Sequence, residues 1–391
     1  MIGRNDMSKV IENFLIPLFV VVSVLYAFHS FAQSNDTIIL NKAFHHMAPN
    51  EGYLEKANIS LYFSGDPHVQ ECNTSYAQSC HQFFFPKVII SQGECESMVQ
   101  RLREYNGSYT ITMQEVTKPT KGILLVFNVD PTKLAVSYER FDSIGLQKGI
   151  VFRVYNKELL NQLEQANNKP VLRTLMNPHK PCIAIDSGHG GSDCGARGHN
   201  GVQEKDICLA IGTVVGNLLE QRGCSVIRTR DGDCVVGLDE RTSYANNHHA
   251  DLFVSIHANY AANQKAVGIE TFCLKPALLQ QGYSSLSDEH NKCIGKVLQK
   301  RAYVSDIVAQ SVQRHVCDAV SKFHDEPIDR KVKYSVSQVL LGTQMPSMLI
   351  EVGFVSNQKE ASFLNNTEYQ KSIAGGICDG ILSAISSQSF F

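Results

Sequence analysis

The hydrophobic positions of this chain follow one pattern before residue 170 and another after residue 180. Between residues 57 and 157, short runs rich in β-branched and aromatic residues alternate with polar and turn residues, a pattern that predicts strands. A helix-like segment at residues 93–105 interrupts these runs, and a polar helix or linker at residues 156–170 follows them. This part of the chain therefore predicts a small β-rich domain.

From Lys180 onward, strand-like apolar runs alternate with helical segments. Five short runs have strand character, namely CIAID, SVIRTR, LFVSIHA, GIETFCL and SMLIEVGF. Helical stretches are predicted at residues 204–223, 238–249 and 305–320, and in the first of these apolar residues recur three and four positions apart up to Gly223. Alternation of strands and helices is typical of an α/β fold, so we predict a mostly parallel sheet flanked by helices for residues 180–386.

The N-terminus carries a third pattern. Two basic residues precede an apolar stretch at residues 14–28, which is followed by small residues up to Ala32. This order predicts a secretory signal peptide at residues 1–32, with a short uncleaved anchor as the alternative. Either interpretation predicts an exported protein. The β-rich N-terminal domain would then occupy residues 33–170.

The composition narrows the class of protein. The chain has 391 residues, of which 43% are hydrophobic and 19% charged, values typical of globular domains. The formal net charge is −2 and no long basic run occurs, so no nucleic-acid partner is predicted. All 12 cysteines follow the predicted signal peptide, and in an exported chain Cys72, Cys80 and Cys95 are the better candidates for disulfides.

Four polar side chains stand at strand ends or at the start of a helix. His189 lies among glycines after the strand CIAID, and His257 ends the strand LFVSIHA. Glu204 begins the first long helix, and Glu351 ends the apolar run SMLIEVGF. Taken singly, each residue is ordinary. Taken together, two imidazoles and one carboxylate suit a catalytic Zn²⁺ that keeps a fourth position for water, and a second carboxylate can act as general base. The set predicts metal-assisted amide hydrolysis.

Residues from about 181 to 386 resemble the zinc-dependent N-acetylmuramoyl-L-alanine amidases of the amidase 3 type, which act on peptidoglycan. The matching stretches, in the order of the family, are IDSGHGGSDCGARG, QEKDICLAIG, VIRTRDGD, LDERTSYANNHHADLFVSIHAN, GIETF and PSMLIEVGFVSN. The resemblance implies a catalytic carboxylate at Glu351 and three zinc ligands, His189, Glu204 and His257.

The same resemblance implies hydrolysis of the amide between N-acetylmuramic acid and the L-alanine of the stem peptide, in cell-wall remodelling and daughter-cell separation. A catalytically silent cell-wall binding protein and a zinc peptidase are the alternatives. The sequence departs from the family pattern at Ser187 and Cys194, where proline is usual. Neither departure removes a predicted ligand, although either could loosen the loop that holds His189.

The resemblance also bears on the N-terminal domain and on localisation. Exported amidases of this type often carry a small β-sandwich, the AMIN domain, that places them at the division site. The runs ISLYFSG, GILLVFNV and GIVFRVY resemble the strands of such a domain in their pattern of apolar and polar residues, without a diagnostic motif. This region is therefore predicted to be either a wall-targeting module or a stabilising partner, in a periplasmic protein with a Gram-negative type of envelope.

A long connection, residues 275–304, separates GIETFCL from the helix that begins near residue 305. Connections between elements of a compact domain are usually much shorter, and long ones are often functional. Some members of the family fold such an insert over the zinc, with a carboxylate as an extra ligand that an activator protein displaces. By that resemblance Glu289 is the predicted regulatory ligand, and a surface helix with solvated acids is the alternative.

Overall fold

The computed structural model describes residues 37–47, 55–72, 80–90, 109–117, 120–142, 148–165, 180–275, 280–284, 286–324 and 328–386. The predicted signal peptide, the helix predicted at residues 93–105 and Cys95 lie outside these residues. In the part of the chain that is described, none of the helices has the length and apolar character needed to cross a membrane.

In the described residues of the N-terminal part, the chain forms nine strands and one helix. In chain order these are β1 (Ile38–Met47), β2 (Glu55–Phe63), β3 (Gln70–Cys72), β4 (Cys80–Pro86), β5 (Val88–Ile90), β6 (Tyr109–Val116), β7 (Gly122–Val129), β8 (Leu134–Asp142), β9 (Lys148–Asn156) and α1 (Lys157–Gln165). The order β8-β9-β2-β1-β5 makes one sheet, and the order β3-β4-β7-β6 makes a second. The prediction of a β-rich region is confirmed.

An aromatic core joins these two sheets. Phe83 of β4 lies with its ring centroid 4.8 Å from that of Phe152 of β9, and Phe127 of β7 lies 5.4 Å from the same ring. All three side chains are buried. Because side chains alternate between the two faces of a strand, one face of each sheet is committed to this shared core. The other face of the β8-β9-β2 sheet is left to cover another part of the molecule.

The C-terminal part is the predicted α/β unit. Its elements are β10 (Cys182–Ser187), α2 (Glu204–Gln221), β11 (Ser225–Arg228), α3 (Leu238–Asn247), β12 (Leu252–Asn259), β13 (Ile269–Cys273), β14 (Gln280–Ser284), α4 (Asp288–Val320), β15 (Asp329–Tyr334), α5 (Gln338–Gly342), β16 (Ser347–Phe354), α6 (Gln358–Leu364) and α7 (Thr367–Ser386). The sheet has the order β11-β10-β12-β16-β13-β15. The neighbouring strands β11, β10, β12 and β16 are mutually parallel.

Alternation along the strands divides the core of this unit in two. On one face, Val254 and Ile256 of β12 pack with the apolar sides of α2, α4 and α7. On the other face, Phe253 of the same strand packs with Leu340 of α5 and with Val151 of the N-terminal sheet. The second face of the α/β sheet is thus covered partly by α3 and α5 and partly by the N-terminal domain.

The direction of β13 differs from that of the strands before it. It runs antiparallel to β16, with Glu270 opposite Glu351 and Cys273 opposite Met348. The chain therefore enters β13 at the edge of the sheet where β12 and β16 end, and it leaves at the opposite edge. This reversal decides where the following insert lies.

The insert joins the N-terminal domain. Its strand β14 pairs antiparallel with β8 and so adds a sixth strand to the first N-terminal sheet. The first turns of α4 contribute Cys293 and Ile294 to a buried apolar cluster with Tyr155 of β9 and Leu160 of α1. The helix is longer than the predicted segment 305–320, because it continues through the insert back to Asp288.

A buried ion network lies on the face of the N-terminal sheet that meets α4. The guanidinium of Arg153 donates to both carboxylate oxygens of Glu55, at 2.9 and 2.8 Å, and to Glu139 at 3.1 Å. Arg301 of α4 is buried as well and donates to the carbonyl of Thr343 at 2.6 Å. The carbonyl of Glu55 also accepts a hydrogen bond from Gln344 Nε2 at 2.9 Å, which links this network to the C-terminal part of the chain.

We expect that a chain starting at Lys180 is much less stable than the full chain. Because this shorter chain lacks β8 and β9, its apolar face around Phe253 would be exposed and β14 would have no partner strand. Thermal unfolding followed by circular dichroism, with size-exclusion chromatography, is the measurement. A chain that lacks only residues 1–36 is the control. If the Lys180 chain stays monomeric and unfolds at the temperature of the control, the domains are independent and this account of their interface is wrong.

Candidate metal centre and active site

The four predicted site residues come together where the central parallel strands end. His257 lies in β12 and is in register with Glu351 of the neighbouring strand β16. His189 follows β10 by two residues, and Glu204 is the first residue of α2. Open α/β sheets hold their ligands at this edge, beyond the carboxyl ends of the strands.

Three of these residues form a compact group of potential metal ligands. Glu204 Oε1 lies 2.8 Å from His257 Nδ1, and Glu204 Oε2 lies 3.1 Å from His189 Nε2. One ligand atom from each residue lies within 4.8 Å of the other two. The carboxylate also accepts hydrogen bonds from the backbone N–H of Ala196 at 2.8 Å and of Ala258 at 3.1 Å. Both oxygens are thereby fixed between the two imidazoles.

The electrostatics of the group favour positive charge between these side chains. Burial opposes ionisation of Glu204, but its hydrogen bonds with His189 and His257 outweigh burial and hold the pKa of the carboxyl well below its usual range. Burial likewise opposes a charged His189, yet Glu204 and Asp193 raise the pKa of this imidazole to about 9. A divalent cation supplies the same positive charge as the protons, so the donor set fits a metal ion.

Glycine is required at two places around the group. A Cβ atom on Gly188 would lie 2.4 Å from Cε1 of His257, closer than any real contact. A Cβ atom on Gly195 would lie 2.6 Å from Glu204 Oε2, and Gly195 also has a φ of 61°. The loop can approach the imidazole and carboxylate this closely only because these residues have no side chain.

The loop that carries His189 is held from below by a buried ion pair. Arg241 donates to Asp186 Oδ1 at 2.7 Å, to the carbonyl of Ser187 at 2.6 Å and to the carbonyl of His189 at 2.7 Å. Arg230 adds hydrogen bonds to the carbonyls of Ser187 and Gly188. His189 itself has a φ of 59°, a left-handed conformation that costs energy in a residue with a side chain. These contacts hold it there.

Asp193 is a site residue that the sequence analysis did not single out. Its Oδ2 lies 2.8 Å from His189 Nδ1, the ring nitrogen that faces away from Glu204, and its Oδ1 accepts from the N–H of Gly195 at 3.0 Å. Carboxylates in this position orient metal-binding histidines and make them better ligands. The signal was present in the sequence as a carboxylate four residues after His189, but its direction depends on the turn between them.

Glu351 lies beside the group without belonging to it. Burial raises the pKa of this carboxyl to about 7, although the nearby His257 opposes the shift. Its Oε2 atom is buried, and among the described residues it has no hydrogen-bond partner. An unpartnered carboxylate oxygen next to potential metal ligands is chemically suited to accept and release a proton.

The structure does not bring Glu289 to this group, which contradicts the prediction of an occluding ligand. Ser305 of α4 contacts Ser347 at the start of β16, whereas Gln313 contacts Ile269 at the edge where the site lies. The helix therefore runs toward the site from the opposite edge of the sheet. Glu289 precedes Ser305 by 16 residues, or about 24 Å of helix, so it lies far from the site edge. The reversal at β13 is the physical reason.

Two further expectations have clear outcomes. Of the three disulfide candidates, Cys72 and Cys80 lie in the described part of the chain, and the structure shows no disulfide between these two. The departures from the family pattern leave the loop intact. Ser187 is buried, and its carbonyl serves both arginines below the loop. Cys194 accepts a hydrogen bond from Arg197 Nε at 3.1 Å and is not one of the three grouped ligands.

The sheet and the polar group at its edge define an α/β enzyme of the hydrolase class. Residues 183–383 match the family described as N-acetylmuramoyl-L-alanine amidase (Amidase_3), and the chain belongs to this family. The N-acetylmuramoyl-L-alanine amidase AmiA of Salmonella typhimurium is 33% identical over 248 residues, which cover 58% of this chain and 83% of AmiA. AmiA of Escherichia coli is 31% identical over 248 residues with the same coverage.

A solved structure from Clostridium difficile 630, also an N-acetylmuramoyl-L-alanine amidase, shares 31% sequence identity. The match covers 54% of this chain and 98% of that one, with a TM-score of 0.44.

We expect that D193A weakens metal binding about 10- to 100-fold, because His189 loses the partner of its second ring nitrogen. The affinity for Zn²⁺ can be measured by competition with a chromophoric chelator. The control is D231A, which removes an aspartate whose side chain is 82% exposed. Equal zinc affinities for D193A and D231A would show that Asp193 does not orient the imidazole.

We expect that D186N lowers the free energy of unfolding by about 3 kcal/mol or more, because it leaves buried Arg241 without its counter-charge. Burial opposes ionisation of Asp186, but Arg241, Thr229 and Ser255 outweigh it and lower the pKa of this carboxyl. A depressed pKa gives stability that is present above the unfolded value of about 3.9 and is lost as the pH falls through the folded value.

Urea unfolding between pH 3 and pH 7 measures both effects. D186N is expected to lose part of the acid dependence seen in the wild type. T229V, which removes one hydrogen bond to Asp186 Oδ1, is the control and is expected to cost only about 1 kcal/mol. A D186N protein as stable as T229V would contradict the role of the ion pair.

Proposed function

We propose that this chain hydrolyses the amide that links N-acetylmuramic acid of peptidoglycan to the L-alanine of the stem peptide. The observation that carries the proposal is the arrangement of Glu351 beside the His189–Glu204–His257 group, at the edge where parallel strands end. Membership of the amidase family supplies the substrate class. We assign the physiological role to cell-wall remodelling and daughter-cell separation.

We assign the metal ligands to His189, Glu204 and His257, and the metal to zinc. Two imidazoles and one carboxylate are a common donor set of catalytic zinc sites, which leave one position for water. When bound, zinc lowers the pKa of a coordinated water and polarises a carbonyl group. Glu204 supplies a negative charge that partly neutralises the cation. Asp193 fixes the orientation of His189 from behind.

Glu351 is assigned as the catalytic carboxylate. Its free oxygen accepts a proton from the attacking water, and the same carboxyl delivers the proton to the departing alanine nitrogen. A group whose pKa lies near neutrality can perform both transfers, and burial gives Glu351 that property. The products are the lactyl carboxylate of the glycan and a stem peptide with a free alanine amine.

Localisation and domain roles complete the proposal. The basic and apolar pattern of the first 32 residues supports export to the periplasm, where the substrate lies. We assign residues 33–170 to an N-terminal domain that stabilises the catalytic domain at residues 180–386. The shared β14 strand and the common apolar cluster support this stabilising role over that of an independent targeting module.

We expect that E351Q keeps its zinc but loses activity by about 10²- to 10⁴-fold, since only the proton transfer is removed. Metal content is measured by atomic emission, and turnover is measured on purified muropeptides by mass spectrometry. E368Q, a change at an exposed position of α7, is the control. An E351Q enzyme with activity close to that of E368Q would remove Glu351 from the mechanism.

The same mass spectra separate the proposed function from its alternatives. The amidase is expected to release an intact stem peptide with a free L-alanine amine from each muropeptide. Fragments cut within the stem peptide would instead identify a zinc peptidase. Zinc-loaded protein that binds sacculi without releasing any product would identify a catalytically silent binding protein.

A further inference from the structure

A groove of about 980 Å³ lies beyond the ends of β12 and β16, at the edge of the sheet where the candidate active site also lies. Three parts of the chain line it: residues 262–265 after β12, residues 357–363 after β16, and His199 in the segment between the His189 loop and α2. The mechanism described above uses none of these residues. The volume is in the range of pockets that enclose small organic ligands.

The groove is tied directly to the strands that carry the active-site residues. The N–H of Val355 donates to the carbonyl of Asn259 at 2.9 Å, so the ends of β16 and β12 stay together. The segments that follow these two strands are also joined to each other. The N–H of Ala261 donates to Ser356 Oγ at 3.0 Å, and Asn357 Nδ2 donates to the carbonyl of Gln264 at 2.8 Å. The groove residues therefore begin within a few positions of the ends of the two strands that carry His257 and Glu351.

The lining has a definite chemical character. Four side chains are carboxamides, from Asn263, Gln264, Asn357 and Gln358. That of Asn357 is engaged in capping α6 and in the bond to Gln264, so the other three face a ligand. Lys265 and Lys359 add two ammonium groups, and none of the described residues that line the groove is an aspartate or a glutamate. The neighbouring Glu360 is buried and accepts hydrogen bonds from the N–H groups of Gly268 and Phe354, so it does not offset the lysines at the groove.

Such a lining suits a ligand that carries carboxylates and peptide groups. Amide side chains donate to and accept from the backbone of a peptide, and ammonium groups attract carboxylates. The two arms of a peptidoglycan substrate differ in this respect. In an intact glycan strand the lactyl carboxyl groups are consumed in the amide bonds, whereas the stem peptide keeps the free carboxylates of its acidic residues. Charge complementarity therefore selects the peptide arm.

We propose that this groove binds the stem peptide of the substrate, with Lys265 and Lys359 facing its carboxylates. The inference rests on the proposed function, because it assumes that the scissile amide lies at Glu351. It assigns one side of the active site to the peptide and leaves the other side to the glycan. Recognition of the peptide's charge then sets the specificity of the enzyme.

The test compares K265Q/K359Q with the wild type on two soluble substrates. One is N-acetylmuramoyl-L-Ala-D-Glu-diaminopimelate, and the other is the same molecule with its free carboxylates converted to amides. The double variant is expected to raise KM for the acidic substrate about three- to tenfold, with kcat changed less than about twofold. Its KM for the amidated substrate is expected to stay unchanged. K371Q, which removes an exposed charge from α7, is the control.

A binding measurement keeps this test separate from the proposed function. Calorimetry follows the free tripeptide L-Ala-D-Glu-diaminopimelate as it binds each protein, and the double variant is expected to lose the same factor in affinity. If the wild type cleaves neither substrate, the proposed function fails, and the calorimetry still decides the groove. Equal tripeptide affinities for the double variant and K371Q would overturn the inference. So would a loss of affinity confined to a peptide-free glycan fragment, because the groove would then hold the glycan.

Discussion

The carboxylate of Glu204 is the constraint on which the rest of the site depends. It is buried, and a buried carboxylate is unfavourable unless its oxygens are fully engaged. Two imidazoles and the N–H groups of Ala196 and Ala258 provide that engagement. Placing these donors requires the end of β12, the start of α2 and the loop after β10 to meet at one point. Much of the local structure serves this convergence.

The need to place His189 next to Glu204 also explains the buried charged residues that contact the His189 loop. His189 contacts Glu204 from a left-handed backbone conformation. Arg241 and Arg230 hold the loop in place by donating hydrogen bonds to its carbonyls. Arg241 is buried, so it needs Asp186 as a counter-charge. The ion pair is thus a consequence of the ligand geometry, and damage to Asp186 would be expected to reach the site through the position of His189.

The sequence carries the positions of the site residues because these positions are local. A histidine after a buried strand and a carboxylate at the start of a helix are visible in the order of residues alone, and the strands and helices around them were predicted within a few residues. What the sequence could not show depends on long-range pairing. The antiparallel direction of β13 and the pairing of β14 with β8 arise from contacts between distant segments, and they move Glu289 away from the site. Asp193 was missed because only the folded turn directs its carboxylate at the imidazole.

X-ray absorption at the zinc edge of the purified full-length protein tests the central claim most directly. We expect one zinc per chain, with two imidazole nitrogens at about 2.0–2.1 Å, light oxygen donors at similar distances and no sulfur scatterer. The spectrum of H257A should lose one imidazole contribution. A sulfur shell at about 2.3 Å would contradict the account, since it would assign the metal to a thiolate such as that of Cys194. An H257A spectrum identical to that of the wild type would contradict it as well.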